Sequence, residues 1–288
     1  MNVRVRFAKY GAVKFIGHLD VLRYFQKAVR RSGLKIAYSQ GFHPHQIMSF
    51  ASPLGVGITS EGEYMDMELV ADYTPQEIVD ALNAAMVEGF AVLSARILPE
   101  PENGRKRETA MSLVTAADYL VTVKENDTFL GTKPLDELKE AWVRFFGQDS
   151  IQVIKKVKKS NTETSVDLKP FLYGAVVGNG TASSLTDDVA NVKSAISLLA
   201  VDAHKNDNSF YEVPVIPDFA AEQKALCAEN RLFSVLLRVS AGSADNIKPE
   251  LVMEAFARFM GCENVDALKF QIHRLDMYTG ENPKLKRL

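Results

Sequence analysis

Three histidines and a run of cations share one short stretch of this chain. "FIGHLDVLRYFQKAVRRSGLKIAYSQGFHPHQIMSF", from Phe15 to Phe50, holds His18, His43 and His45, three of the five histidines in 288 residues. It also holds five Lys/Arg and a single acid, Asp20. Imidazoles beside surplus positive charge suit work on an anion. A histidine titrates near neutral pH and can donate to a phosphate or take a proton from a ribose 2′-OH. Pro44 biases His43 toward an extended conformation, in which His43 and His45 point the same way and line one pocket with His18. Three roles fit these rings: contact to a phosphate or base, hydrogen bonding within loops, or metal ligation and general acid–base work. A three-histidine site would suit zinc, with Asp20 or Glu63 adding an oxygen. The spacing matches no zinc pattern, so no metal site is assigned.

The cations fall at helical spacing. Arg23, Lys27, Arg30 and Arg31 stand at i, i+4, i+7 and i+8, a basic stripe opposite an apolar one read from Leu19, Leu22, Ala28 and Val29. Arg4, Arg6, Lys9, Lys14 and Lys35 extend the charge, and Asp20 can neutralise only one of them. Residues 1–50 carry a local +8 and residues 51–100 a local −8, within a net charge of −2. Such a gradient is either a field aimed at an anion or two stretches that neutralise each other inside one domain.

The elements that position these groups read as a repeated pattern. "NVRVRF" alternates, with Val3, Val5 and Phe7 facing a core and Arg4 and Arg6 on an open sheet face. A helix follows Gly17. Strands are expected in "IMSFASPLGVGIT" and "EYMDMELV", joined by a turn at Ser60-Glu61-Gly62. "TPQEIVDALNAAM" starts a helix at Thr74, with Pro75 in its first turn and Glu77 completing a capping box. "AVLSARIL" is the next strand. The order is β-α-β-β-α-β, the ferredoxin-like pattern.

"PEPENGRKRETA" is rich in Pro and charge and marks a linker. Beyond it "LDELK" echoes "LDVLR", and "KPELVMEAF" echoes "TPQEIVDAL" in matching order, which suggests a duplication. The expected class is α+β, two tandem ferredoxin-like units: 1–100, a linker at 101–116, and 117–288 with an insertion around 174–230. On the last strand, Phe270 and Ile272 face the core and Gln271 and His273 the other side, while Arg274 falls on the core side and reaches out at the strand end. Lys155, Lys156, Lys158 and Lys159 form a further basic run.

Composition excludes several classes. Cys227 and Cys262 are the only cysteines, so there is neither a disulfide framework nor a CxxC pair. No apolar run approaches the roughly 18 residues of a membrane span, and the start lacks an apolar signal core. No Walker or GxGxxG pattern joins a strand to a helix. The expectation is a cytoplasmic protein without membrane contact.

The runs "KFIGHLDVLRYFQKAVRRSGL" and "AYSQGFHPHQIMSFASPLGVGITSEGEYMDMEL" resemble the radical-SAM-linked protein family, a bacterial domain of unknown function fused to or encoded beside radical SAM proteins. The resemblance is close over residues 1–100. It is looser at Asp167-Leu168-Lys169-Pro170, Ser240–Pro249 and Ile272-His273-Arg274. His43 stands where the family has Asn in Asn-Pro-His, which leaves His45 the better candidate. The resemblance implies a radical SAM protein as partner, carrying the iron–sulfur cluster and S-adenosylmethionine. Family members encoded beside ribonuclease and ribosomal-protein genes point to RNA. Two cysteines are too few for a three-cysteine cluster, so no cofactor is assigned to this chain.

Together these readings give an accessory RNA-binding protein that positions an RNA for a separate radical SAM partner, with no activity of its own. Arg23, Lys27, Arg30 and Arg31 would hold phosphates with Lys14, and Arg4 and Arg6 would reach RNA from the sheet. Tyr38 or Phe42 would stack on bases. Two alternatives stay open. One is a metal-independent RNA endonuclease with His18, His43 or His45 as general base. The other is an adaptor that docks a protein through segment 51–100 or the insertion, without RNA contact.

Overall fold

The computed structural model describes residues 1–101, 107–123, 129–157, 162–178, 208–213, 233–243, 245–282 and 284–288. Part of the expected linker, most of the expected insertion, Lys158, Lys159 and Cys227 lie outside them. In chain order the elements begin β1 (Asn2–Lys9), α1 (His18–Ser32), β2 (Met48–Phe50), β3 (Thr59–Glu68), α2 (Pro75–Ala85), β4 (Phe90–Leu98) and α3 (Ala110–Leu113). They continue with β5 (Ala116–Val123), α4 (Leu135–Phe146), β6 (Gln152–Val157), β7 (Thr162–Asp167), β8 (Leu172–Gly178) and β9 (Phe210–Glu212). The last are β10 (Ser234–Ser240), α5 (Pro249–Phe259), β11 (Phe270–Thr279) and β12 (Lys286–Arg287). The protein is a mixed α+β chain of two compact units. One comprises Met1–Thr115, Ala200–Ala220 and His273–Leu288; the other Ala116–Leu199 and Ala221–Ile272.

In the first unit β1 is central. It pairs antiparallel with β3 on one side and β4 on the other, so Val3 faces Met67 and Ile97 in register. β2 pairs with the far end of β3, and β11 runs parallel to its near end, with His273 opposite Thr59. β9 closes the other edge on β4. The alternation of β1 places Val3, Val5 and Phe7 in the core, where Phe7 meets Phe25 of α1 at 4.5 Å and Phe50 at 5.8 Å between ring centroids. α2 begins as its sequence requires. Thr74 Oγ1 accepts from Glu77 N–H at 3.2 Å, and Glu77 Oε2 accepts from Thr74 N–H at 2.7 Å. The bond from Thr74 N–H, and a second from the Thr74 hydroxyl at 2.9 Å, hold the Glu77 carboxyl below its usual range.

In the second unit β10 pairs antiparallel with β5 and β8, and β6 and β7 form a separate two-stranded antiparallel sheet. α4 and α5 supply Trp142, Phe145 and Phe256, which cluster with Phe233. The buried pair Arg238–Asp118 joins β10 to β5 through two hydrogen bonds. The echoed segments all lie in helices. "LDVLR" lies in α1 and "LDELK" in α4, while Pro75 and Pro249 open α2 and α5.

Four local expectations differ from the structure. Ser60-Glu61-Gly62 is no turn but lies within the first part of β3, and the chain reverses between Phe50 and Thr59 instead. Gly62 is needed for a different reason. A Cβ there would stand 2.4 Å from Asp276 Cα and 2.7 Å from Leu275 O, so β11 could not approach β3. On α1 the buried face is Val21, Phe25, Ala28 and Val29, and Leu19 is exposed. At 100° per residue Leu19 sits some 200° from Val21, whereas Leu22, Ala28 and Val29 do pack in or against the core. Arg4 and Arg6 are buried rather than on an open face. Arg274 does fall on the buried side, but it stays fully buried rather than reaching outward.

Candidate nucleic-acid interface

α1 carries the basic stripe, and its sequence explains its ends. Gly17 caps the N-terminus in an extended conformation. Gly33, at φ 79°, turns the chain left-handed at the C-terminus. Arg30 and Arg31 lie in the last turn, where positive charge complements the helix dipole. Arg31 is partly committed within the fold: its Nη2 donates to Ala85 C=O at 2.9 Å and its guanidinium lies 5.8 Å from the Tyr24 ring centre. Arg23 pairs with Asp20 at 3.6 Å, both well exposed, a contact worth little in water. Lys27, Arg30 and Lys35 are exposed, and none of them has an ion pair among the described residues. Lys14 is half-buried, its ammonium 5.4 Å from the centre of the exposed Phe15 ring.

Below α1 lies a buried charge cluster that anchors the turn leading into it. Lys9, on β1, donates from Nζ to Ile16 C=O at 3.0 Å and Lys14 C=O at 3.4 Å. It therefore ties the core sheet to the short helical turn Gly11–Phe15 that precedes α1. Burial pulls the Lys9 ammonium below its ordinary pKa of 10.5; Glu63 opposes the shift and Arg274 adds to it. Glu63 accepts from Arg274 Nε at 2.9 Å and from Nη2 at 2.5 and 2.6 Å, while Nη2 also donates to Ser52 C=O at 2.9 Å. His273 lies beside the cluster, with Nδ1 2.9 Å from Thr59 Oγ1 and Nε2 3.7 Å from Glu61.

The residues expected on the sheet face belong to two further networks. Arg4 grips Asp66 through Nε at 2.7 Å and Nη2 at 3.0 Å, and donates to Leu288 C=O at 3.3 Å. Asp66 also accepts from Ala110 N–H at 2.7 Å. Arg6 donates to Glu212 at 2.9 Å and lies 3.7 Å from Asp276. Asp276 accepts from Tyr64 Oη and from Arg287 Nε, each at 2.5 Å. Burial, then the Asp276 charge, pushes the Tyr64 phenol well above its ordinary pKa of 10.0. The face that alternation left open is thus closed by the strand bearing Glu212 and by the segment from His273 to Leu288. Part of the acidic stretch 51–100 neutralises buried cations: Asp66 does so for Arg4 and Glu63 for Arg274. The outward surplus is what remains on α1.

The three histidines are not joined by any hydrogen bond among the described residues. His18, at the start of α1, is half-buried with its ring edge-on to Phe50 at 5.5 Å. His43 is exposed. His45 is exposed, with Nδ1 2.8 Å from Ser39 Oγ. Of the stacking candidates, Phe42 is fully exposed and Tyr38 is 46% exposed. Among the described residues no cluster of three or more His, Cys, Asp or Glu side chains is arranged to hold a metal ion, and no helix is long and apolar enough to cross a membrane. The pairing of Glu63 with Arg274 beside Lys9, and the Asp276 network, escaped sequence reading, since Glu63 and Arg274 stand 211 positions apart.

A family model described as "Uncharacterized protein conserved in bacteria (DUF2344)" matches residues 2–208, and the chain belongs to that family. No curated protein matches it. Among solved structures it is similar to a chain from a crystal structure of a Cbf5-Nop10-Gar1 complex. The TM-score is 0.43 at 9% identity, over 96% of this chain and 48% of that one. The chain therefore spans about half the length of that protein.

Proposed function

We propose that this protein is an accessory RNA-binding protein, built from two ferredoxin-like units, that holds an RNA for a separate radical SAM partner. The observation that supports RNA binding is the outward face of α1. Arg23, Lys27, Arg30 and Arg31 are all exposed there, and Asp20 is the one acid in the stretch Phe15–Phe50. A helix rises 1.5 Å per residue, so Arg23 to Arg30 spans about 10 Å, a reach suited to successive phosphates. Phosphate neutralisation releases counterions and makes such binding steeply salt-dependent. Buried Arg4 and Arg6 hold the sheet together and take no part in the contact. The partner rests on the resemblance of Lys14–Leu69 to the radical-SAM-linked family. The iron–sulfur cluster and S-adenosylmethionine would then reside in that partner, and the complex would work in the cytoplasm.

The test is RNA affinity measured across a salt series, for the natural protein and for Lys27→Glu/Arg30→Glu. Weak or salt-insensitive binding, unchanged in the variant, would remove the reading. The endonuclease alternative makes a separate prediction: RNA is cut without divalent metal and the cutting is lost in His45→Ala. An intact RNA after long incubation leaves binding as the function. The adaptor alternative predicts no RNA affinity at all.

A further inference from the structure

The loop between Ala37 and Ile47 is braced across its stem, from Ala37–Ile47 up to Ser39–His45. Tyr38 and Gln46 pair as an antiparallel bridge. Ser39 N–H donates to His45 C=O at 2.8 Å, and Ile47 N–H to Ala37 C=O at 2.8 Å. His45 N–H donates to Ser39 Oγ at 3.1 Å, and the same Oγ lies 2.8 Å from His45 Nδ1. Gly41, at φ 116°, supplies a left-handed conformation that side-chain-bearing residues rarely adopt. Gln46 is buried and donates from Nε2 to Gln26 C=O at 3.2 Å, which bonds the loop to α1 between Arg23 and Arg30.

What this loop presents is Phe42, fully exposed, with His43 and His45 exposed beside it and Tyr38 at its base. A lone exposed apolar side chain is ordinary. A phenyl ring carried on a stapled loop, bonded to a cationic helix, with imidazoles on its flank, is a different object. Water is a poor partner for such a ring, and bracing it in place lowers the ordering cost of any later contact. The charge beside it selects an anion whose other parts are flat and aromatic.

We infer that the Phe42 loop is a base-stacking platform and that the ligand of this face is single-stranded RNA. This rests on the RNA-binding reading and narrows it. In a duplex the bases stack on each other, and the A-form major groove is too deep and narrow for a side chain to read. Phe42 would then meet only backbone. A single strand offers a base face at every nucleotide, and stacking on an aromatic side chain changes affinity by about 5- to 150-fold. α1 would follow the phosphates while Phe42 takes a base, with little sequence preference because every base has a π-face.

The experiment is fluorescence anisotropy with labelled oligouridylate and with a blunt RNA duplex of equal phosphate number. It is run on the natural protein, Phe42→Ala and Phe42→Trp, each checked for unchanged circular dichroism. The expected result is preference for the single strand and about 5- to 150-fold weaker binding by Phe42→Ala with an unchanged salt slope. Phe42→Trp keeps the affinity, and its new indole emission is quenched on binding. Equal binding of strand and duplex, indifferent to Phe42→Ala, overturns the platform while leaving RNA binding intact. No binding of either RNA overturns both. Loss of a co-purifying protein in Phe42→Ala, with RNA affinity unchanged, makes the loop a protein contact and overturns the platform.

Discussion

Replacing Glu63 with Gln should unfold the first unit more readily than almost any other single change. The substitution keeps the shape of the side chain and removes its charge. Arg274 and Lys9 would then be two buried cations with no carboxylate between them. The side chains of Arg274 and Glu63 are 2% and 7% exposed, so water cannot replace the lost partner. Breaking a buried pair from one side costs about 3–5 kcal/mol, a large share of the roughly 5–15 kcal/mol that holds a domain folded. At a urea m-value of about 2 kcal/mol/M, the unfolding midpoint should fall by about 2 M. A shift below about 0.5 M would refute the reasoning, because it would mean that the pair is solvated. The double variant Glu63→Gln/Arg274→Met should be less destabilised than the sum of its parts, since it removes the stranded charge.

The pH dependence has a definite sign. Folding lowers the pKa of Lys9 below 10.5, so between the folded value and 10.5 the unfolded chain binds more protons. Stability contributed by this group therefore rises with pH through that window. Without Glu63 the folded value drops further, and the deficit of Glu63→Gln should shrink as pH is raised toward 10.5. A deficit that grows with pH would contradict this.

Other consequences are as direct. Gly62→Ala should cost about 1–3 kcal/mol or more and lower the thermal midpoint, because its Cβ would meet the backbone of Asp276 rather than a movable side chain. Tyr64 should keep its proton above pH 10 in the folded protein while the unfolded chain loses it. Its contribution to stability is full below pH 10.0 and is lost progressively as pH rises above it toward the folded pKa, and phenolate absorbance of the folded protein near pH 10 should be the same in Tyr64→Phe. Lys27→Met and Arg30→Met should leave stability within about 0.5 kcal/mol. Arg4→Met, by stranding the Asp66 carboxylate, should cost several times that figure.

What could be read from the sequence was local. α2 was legible because Thr74, Pro75 and Glu77 are all within one turn and cap each other. The cations of α1 were legible because their spacing alone puts them on one side. The apolar side was legible at Leu22, Ala28 and Val29, while Leu19 shares their spacing but faces out, and Val21 and Phe25 complete the buried face. Gly62 looked like a turn residue, and only the backbone of Asp276, more than two hundred positions later, shows why it has no side chain. Arg4 and Arg6 looked exposed because alternation reports two faces of a strand and cannot say that Glu212, Asp276 and Leu288 cover the second one. The loop around Phe42 announced its aromatic and its imidazoles, but not the bonds through Ser39 and Gln46 that hold them.

The most direct test is the salt dependence of RNA binding. A single strand contacting Arg23, Lys27, Arg30 and Arg31 should give a slope of log K against log salt of about −2.8, or roughly 50-fold weaker binding at about 200 mM than at about 50 mM. Removing Lys27 or Arg30 should make the slope shallower by about 0.7 each. A slope near zero, or one that both substitutions leave unchanged, would contradict the claim that this helix is a phosphate-binding face.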